Sequence, residues 1–302
     1  MDRDQFRPLF EHFASVVTFA EPMARHTTWR IGGPADIFAV PHDTEQLLAL
    51  LQIAKRNNIP FFIIGRGSNL LVRDAGIRGL VIKIGDSFAD CSVVGNQLIA
   101  YAGRSMVSAA HIAIRHGLSG LEFATGIPGS IGGAVAMNAG AHGGEIKDVL
   151  ARVEVVTKDA TCFTVPASEL QFAYRHSVIR ENGWIVLSAV FDLRPGDTTE
   201  MQERTRAWAK RRQATQPLSM PSCGSVFRNP PGDYSARLIE ACGLKGTRIG
   251  DAQISEKHAN FIVNLGQARA LDVLALIDLV KFTVQDRFGV QLLPEVRVVG
   301  EN

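Results

Sequence analysis

The chain has 302 residues, 46% apolar and 21% charged, and its 32 basic and 30 acidic side chains leave a formal charge of +2. Such a composition excludes collagen, coiled coil and intrinsic disorder, and the near balance of charge lacks the footprint of a nucleic-acid binder that neutralises many phosphates. The length allows two domains, or one large domain with a satellite, with ample core.

In chain order, residues 43–58 place Leu47, Leu50, Leu51 and Ala54 at helical spacing behind Asp43 or Thr44 as N-cap, which predicts a surface helix. Residues 59–64 and 80–84 read as strands, 97–101 as another, and 105–116 as a helix stopped by Gly117. Strands follow at 153–157, 161–165 and 184–193. The turn cluster Arg194-Pro195-Gly196-Asp197 then marks the expected domain boundary. Residues 199–212 form a helix with a basic end, 234–242 and 271–288 are amphipathic helices with glycine stops, and 258–264 is a strand between them.

Glycine is concentrated. Residues 117–144 hold nine of the 28 glycines and a single charged residue, Glu122. Such density loses backbone entropy on folding and supplies no packing, so it points to backbone that takes positive φ or approaches a ligand closely; a pair of tight turns is the plainer alternative. A second signal is the apolar run 61–64 that ends in Gly65-Arg66-Gly67-Ser68-Asn69. Successive N–H groups in such a turn make an anion-binding concavity, with phosphate as the natural guest. The loop has neither the GxxxxGK[ST] of a P-loop nor a GxGxxG opening a helix.

The cysteines, Cys91, Cys162, Cys223 and Cys242, match no zinc or disulfide spacing and read as reduced thiols. His111, His116, His142, His176 and His258 fit no metal-ligand spacing either, so no metal is expected. The N-terminus resembles neither a signal nor a transit peptide, and no run approaches the roughly 18 apolar residues of a membrane span. A soluble, cytoplasmic protein is expected.

Several segments together resemble the bacterial UDP-N-acetylenolpyruvoylglucosamine reductases: Thr28-Trp29-Arg30-Ile31-Gly32-Gly33-Pro34-Ala35, Gly65 to Leu70, Gly126-Ile127-Pro128-Gly129-Ser130-Ile131-Gly132-Gly133, Asn138-Ala139-Gly140-Ala141, Tyr174-Arg175-His176-Ser177, Gly224-Ser225-Val226-Phe227-Arg228-Asn229-Pro230 and Leu293-Pro294-Glu295-Val296. They occur in the family's order over residues 28–297. The resemblance implies an α+β chain: an FAD-binding fold of the p-cresol methylhydroxylase and vanillyl-alcohol oxidase type, in subdomains 1–85 and 86–196, then a C-terminal α/β substrate-binding domain, 197–302. The implied activity is NADPH-dependent reduction of UDP-N-acetylglucosamine enolpyruvate in peptidoglycan precursor synthesis. A flavin alcohol oxidase of the same cofactor fold is the alternative.

By this resemblance FAD contacts Gly65, Arg66, Gly67, Ser68, Asn69, Leu70, Gly126, Ile127, Pro128, Gly129, Ser130, Gly132, Gly133, Asn138 and Gly140. Hydride passes from NADPH to the flavin and on to the enolpyruvyl C3, leaving charge at C2 that delocalises into the substrate carboxylate. Arg175, with its fixed two-pronged fork, is the expected carboxylate ligand. Ser225 matches the proton donor to C2, and Glu295 matches a second polarising group, either protonated or paired with Arg175. Tyr174, Arg228 and Asn229 are expected at the substrate. Only 49 residues separate Arg175 from Ser225, as in shorter family members without an inserted tyrosine segment, so the basic stretch Lys210 to Arg212 becomes a candidate for the substrate diphosphate. No macromolecular partner is implied, and a monomer is expected.

Overall fold

The computed structural model describes residues 4–301. Contacts divide the chain into two compact units: one takes the residues up to Thr18, Phe38–Arg66 and Gly79–Arg211, the other Phe19–Ile37, Gly67–Arg78 and the chain from Arg212 onward. These discontinuous units do not follow the segments 1–85, 86–196 and 197–302.

The first unit is built on a five-stranded antiparallel sheet in the order Cys162–Pro166, Leu150–Val156, Ile185–Asp192, Gln97–Tyr101, Cys91–Val94. Ser188 opposes Tyr101 and Asp192 opposes Gln97, while Leu150–Val156 carries two register irregularities against Ile185–Asp192. The short helix Ile131–Ala136 packs on Ile185–Asp192, and the helix Met106–Arg115 packs on the 3-10 turn Glu122–Gly126. Phe61–Ile64 and Leu80–Lys83 pair in parallel, after the helix Thr44–Arg56. That helix begins where its sequence says it should: the Asp43 carboxylate accepts the N–H of Gln46, and Leu47, Leu50, Leu51 and Ala54 are buried.

The expected boundary at 194–197 falls inside this unit. Arg194 and Pro195 pair with Ser119 and Leu118, and the Gly196 N–H donates to the Gly117 carbonyl at 2.8 Å. The expected turn cluster instead contains a two-residue strand, Arg194–Pro195, paired with Leu118–Ser119. The chain leaves the unit for the last time between Arg211 and Arg212, within the helix Thr198–Thr215.

The second unit holds the antiparallel sheet Arg248–Ile249, Ala252–Ile254, Ile262–Asn264, the helices Ser235–Ala241 and Ala270–Phe288, and a parallel pair in which Arg297–Val299 lies beside Leu70–Val72. Its core joins Trp29, Ile31 and Leu71 to Val226, Phe227, Leu238, Ile239, Val273, Leu276 and Val280. Trp29 is fully buried, donates its indole N–H to the Ile262 carbonyl at 2.8 Å, and its own carbonyl accepts from the Asn264 side chain at 3.0 Å. The N-terminal Thr28–Ala35 segment therefore supplies the largest side chain of the C-terminal core. The strand expected over 258–264 is confined to Ile262–Asn264, because Phe261 N–H turns back to the His258 carbonyl. Among the described residues no helix is long and apolar enough to cross a membrane.

Candidate active site

In the first unit the two glycine segments come together. A Cβ on Gly65 would stand 2.3 Å from Ser130 Oγ, so the loop after Phe61–Ile64 runs directly against the segment Gly126–Gly133. That segment is fixed by its backbone: Gly129 accepts from Met106 N–H, Ile131 N–H donates to Arg104, and Gly132 N–H donates to Ala102 at 2.9 Å. Gly132 also admits no ordinary side chain, since its Cβ would be 3.0 Å from that of Ala102. The first unit thus presents Gly65 beside a buried serine hydroxyl and a run of backbone that carries no bulk.

Arg175 lies in the same unit, at the tip of a tight turn closed by paired hydrogen bonds between Ala173 and His176. It has φ +56° and is half-buried; one guanidinium N–H donates to the Gly140 carbonyl at 3.1 Å, and the group lies 4.9 Å above the Tyr174 ring. Asn138 holds this turn in place. Fully buried, it donates both amide hydrogens, to the Ala173 carbonyl at 3.0 Å and to Glu145 at 3.1 Å, and its oxygen accepts from Lys147 N–H. The Asn138 side chain, expected beside the cofactor, is spent on positioning the turn that bears Arg175; Gly140 likewise serves as the arginine's acceptor. Ser177 adds a further tie to the Ala136 carbonyl.

In the second unit Ser225 and Glu295 are on backbone segments bonded to each other. Glu295 N–H donates to the Val226 carbonyl at 2.7 Å, Arg228 N–H to Leu293 at 2.9 Å, and Phe227 bridges Pro294. Asn69, from the Gly65–Leu70 loop, donates to the Glu295 carbonyl at 3.1 Å and accepts from Arg297 N–H, and Leu70 pairs with Arg297. The far half of that loop is therefore stitched to the strand entry that carries Glu295. Beside Ser225, the Cys223 thiol is pushed up by burial and then by the charge of Glu295, which keeps it protonated. Arg228 has a buried Nε with no hydrogen-bond partner, while the Asn229 side-chain oxygen accepts from Ser235 N–H at the start of Ser235–Ala241.

Two family models match: "UDP-N-acetylenolpyruvoylglucosamine reductase, C-terminal domain" over residues 216–299 and "FAD binding domain" over residues 35–166. A UDP-N-acetylenolpyruvoylglucosamine reductase of Caldanaerobacter subterraneus is 47% identical over 281 residues, 93% of either chain. The chain belongs to the UDP-N-acetylenolpyruvoylglucosamine reductase family. A second member, reductase 2 of Symbiobacterium thermophilum, is 50% identical over 94% of this chain and 92% of its own. The crystal structure of the Thermus caldophilus reductase superposes with a TM-score of 0.80 at 38% identity, covering 93% of this chain and 97% of that one.

For a reductase of this family the residues present fit FAD. Gly65 lies so close to Ser130 that its backbone carries no side chain, and Gly67, at φ +63°, has its Cβ direction blocked by the His26 carbonyl at 2.1 Å. Thr28, whose N–H donates to Gly67, has a buried hydroxyl with no hydrogen-bond partner, the orphan a phosphate oxygen would satisfy. Thr28 lies in the Thr28–Ala35 motif, which assigns it no role of its own. Asn260, which grips Phe227, carries no signal in the sequence, since an asparagine in an apolar run reads as a strand residue. Among the basic helix-end residues, Arg212 turns its Nε to Gln216 at 2.7 Å, and Arg204 turns back to Glu122.

Proposed function

We propose that the protein reduces UDP-N-acetylglucosamine enolpyruvate to UDP-N-acetylmuramate with NADPH, a step of peptidoglycan precursor synthesis. FAD, when bound, supplies the hydride relay from NADPH to the enolpyruvyl methylene carbon. The protein's residues manage the charge that this leaves on the substrate. Arg175, half-buried, offers a two-pronged guanidinium fork for the substrate carboxylate into which the C2 charge delocalises. Ser225 Oγ gives its proton to C2. Glu295 acts as the second polarising group, and Tyr174, Arg228 and Asn229 contact the substrate. Nucleotide sugar and NADPH are intracellular solutes, so we place the reaction in the cytoplasm, with a monomer as the working unit.

The observation that carries this reading is the bond between Glu295 N–H and the Val226 carbonyl, which fixes Ser225 and Glu295 at adjacent backbone positions. A flavin alcohol oxidase would not need a proton donor and a carboxyl residue carried on neighbouring, hydrogen-bonded backbone. Ser225→Ala tests it. Under anaerobic conditions NADPH should still bleach the flavin of the variant, while reoxidation by substrate should fall at least about a hundredfold, the lower end of a general acid's contribution. Loss of flavin reduction itself, or normal reoxidation, would remove Ser225 as donor.

A further inference from the structure

Gly224, at φ +82° with nothing within 4 Å of its Cβ direction, separates Ser225 from the buried Cys223. The chain that follows the serine is held residue by residue. Val226 and Phe227 are buried, at 0% and 2% exposure, and both meet one residue, Asn260, itself 4% exposed. The Asn260 carbonyl accepts Val226 N–H at 2.9 Å, its side-chain oxygen accepts Phe227 N–H at 2.9 Å, and its amide donates to the Phe227 carbonyl at 2.8 Å. The side chain thereby reproduces, for one peptide, the two-way pairing a neighbouring strand would give. The opposite edge of the segment is taken by Glu295 and Leu293 through Val226 O and Arg228 N–H.

We infer that Asn260 is a positioning residue for the proton donor: it sets the register of Val226–Phe227, and so the place of the Ser225 hydroxyl relative to Glu295. The inference rests on the proton-donor reading above. Asn260 is itself oriented, since its N–H points to His258 Nδ1 at 3.3 Å. Burial, against a backbone hydrogen bond that raises it, pushes the His258 pKa down, and the neutral ring with its proton on Nε2 offers Nδ1 as the acceptor. An aspartate at 260 would be isosteric but would lack the amide donor and set an oxygen against the Phe227 carbonyl. A displacement of about 1 Å at a reacting group is enough for about a hundredfold loss of rate.

The test uses the FAD-loaded protein and three variants: Asn260→Asp, Ser225→Ala and the double variant. Asn260→Asp should leave flavin reduction by NADPH within about twofold of the parent, slow reoxidation by substrate about a hundredfold, and speed amide hydrogen exchange in the peptide containing Val226 and Phe227. In the double variant reoxidation should be no slower than in Ser225→Ala, because a residue that acts through the serine has nothing left to position. A double variant slower by the full Asn260→Asp factor, or unchanged reoxidation in Asn260→Asp beside a crippled Ser225→Ala, overturns the inference alone. Normal reoxidation in Ser225→Ala overturns the proton-donor reading and this one with it. If Asn260→Asp does not retain FAD, Asn260→Ser, smaller and still polar, carries the same expectations.

Discussion

Ser130 holds its hydroxyl oxygen 2.3 Å from the point where a Cβ on Gly65 would stand, so two glycine-rich segments 65 positions apart share one surface. The contact is with the rotatable end of a short side chain. Gly67 is different, because its obstacle is the His26 backbone carbonyl at 2.1 Å and its φ is +63°. We predict that Gly67→Ala is the more damaging change. The left-handed conformation alone costs an alanine about 1–2 kcal/mol, and the carbonyl cannot swing away. Gly65→Ala should lower FAD content modestly and be relieved in a Ser130→Ala background, where the nearest remaining atom is the serine Cβ at 3.4 Å. The flavin-to-protein absorbance ratio of the purified variants measures this. Equal FAD loss in Gly65→Ala and Gly67→Ala would contradict it.

Arg175→Lys separates charge from geometry. Lysine keeps the positive charge but loses the fork, the hydrogen bond to Gly140 and the guanidinium face above Tyr174. The expected result is flavin reduction by NADPH at the parent rate, with reoxidation by substrate slowed tenfold or more, on the order of a lost charge-assisted hydrogen bond. Near-normal turnover would take Arg175 out of the chemistry.

Those residues were legible in the sequence as motifs, and the local elements were legible as patterns. Asp43 before a leucine stripe and Gly289 after one bracket their helices because capping acts within a turn. The relations that build the candidate site are non-local and leave no such signature. Trp29 reaches the Ile262 carbonyl across 233 positions, and Asn69 reaches Glu295 across 226. Asn138 shows how the two kinds of reading part. The family motif Asn138-Ala139-Gly140-Ala141 implies a cofactor contact, yet three hydrogen bonds within the protein take up the Asn138 side chain. Only the fold reveals that it supports Arg175.

Glu122, the one charge in the glycine window, predicts a pH-dependent stability. It is 5% exposed, accepts from Ser119 Oγ at 2.8 Å and Gly120 N–H at 2.6 Å, and pairs with Arg204 at 2.5 Å. Burial alone would raise its pKa; the hydrogen bonds and the Arg204 charge outweigh burial and hold it below the ordinary value of 4.5. A depressed folded pKa means that the ionised carboxylate stabilises the fold above about 4.5 and that this stability is lost as pH falls below it. Glu122→Gln should therefore cost about 1–2 kcal/mol at neutral pH. The gap to the parent should narrow in acid. Urea midpoints for both proteins at neutral pH and below 4.5 decide it, and a gap independent of pH would show that the charge plays no part.

Asp74 carries the last prediction. It follows the strand Leu70–Val72, and its two carboxylate oxygens accept Ala270 N–H at 2.8 Å and Leu271 N–H at 3.1 Å, so a side chain 196 positions away caps the helix Ala270–Phe288. A carboxylate there satisfies two orphan donors and opposes the positive end of the helix dipole. The helix contributes Val273, Leu276, Ile277 and Val280 to the same core as Val226 and Phe227, so the cap ties the chain that follows the candidate cofactor loop to the core that also holds the residues after Ser225. Removing it in Asp74→Ala should cost about 1–2 kcal/mol, and Asp74→Asn, which keeps one acceptor, less than half of that. Thermal midpoints of the two variants should fall in that order. An Asp74→Ala protein as stable as its parent would mean that water replaces the carboxylate at no cost, and that the helix start needs no remote cap.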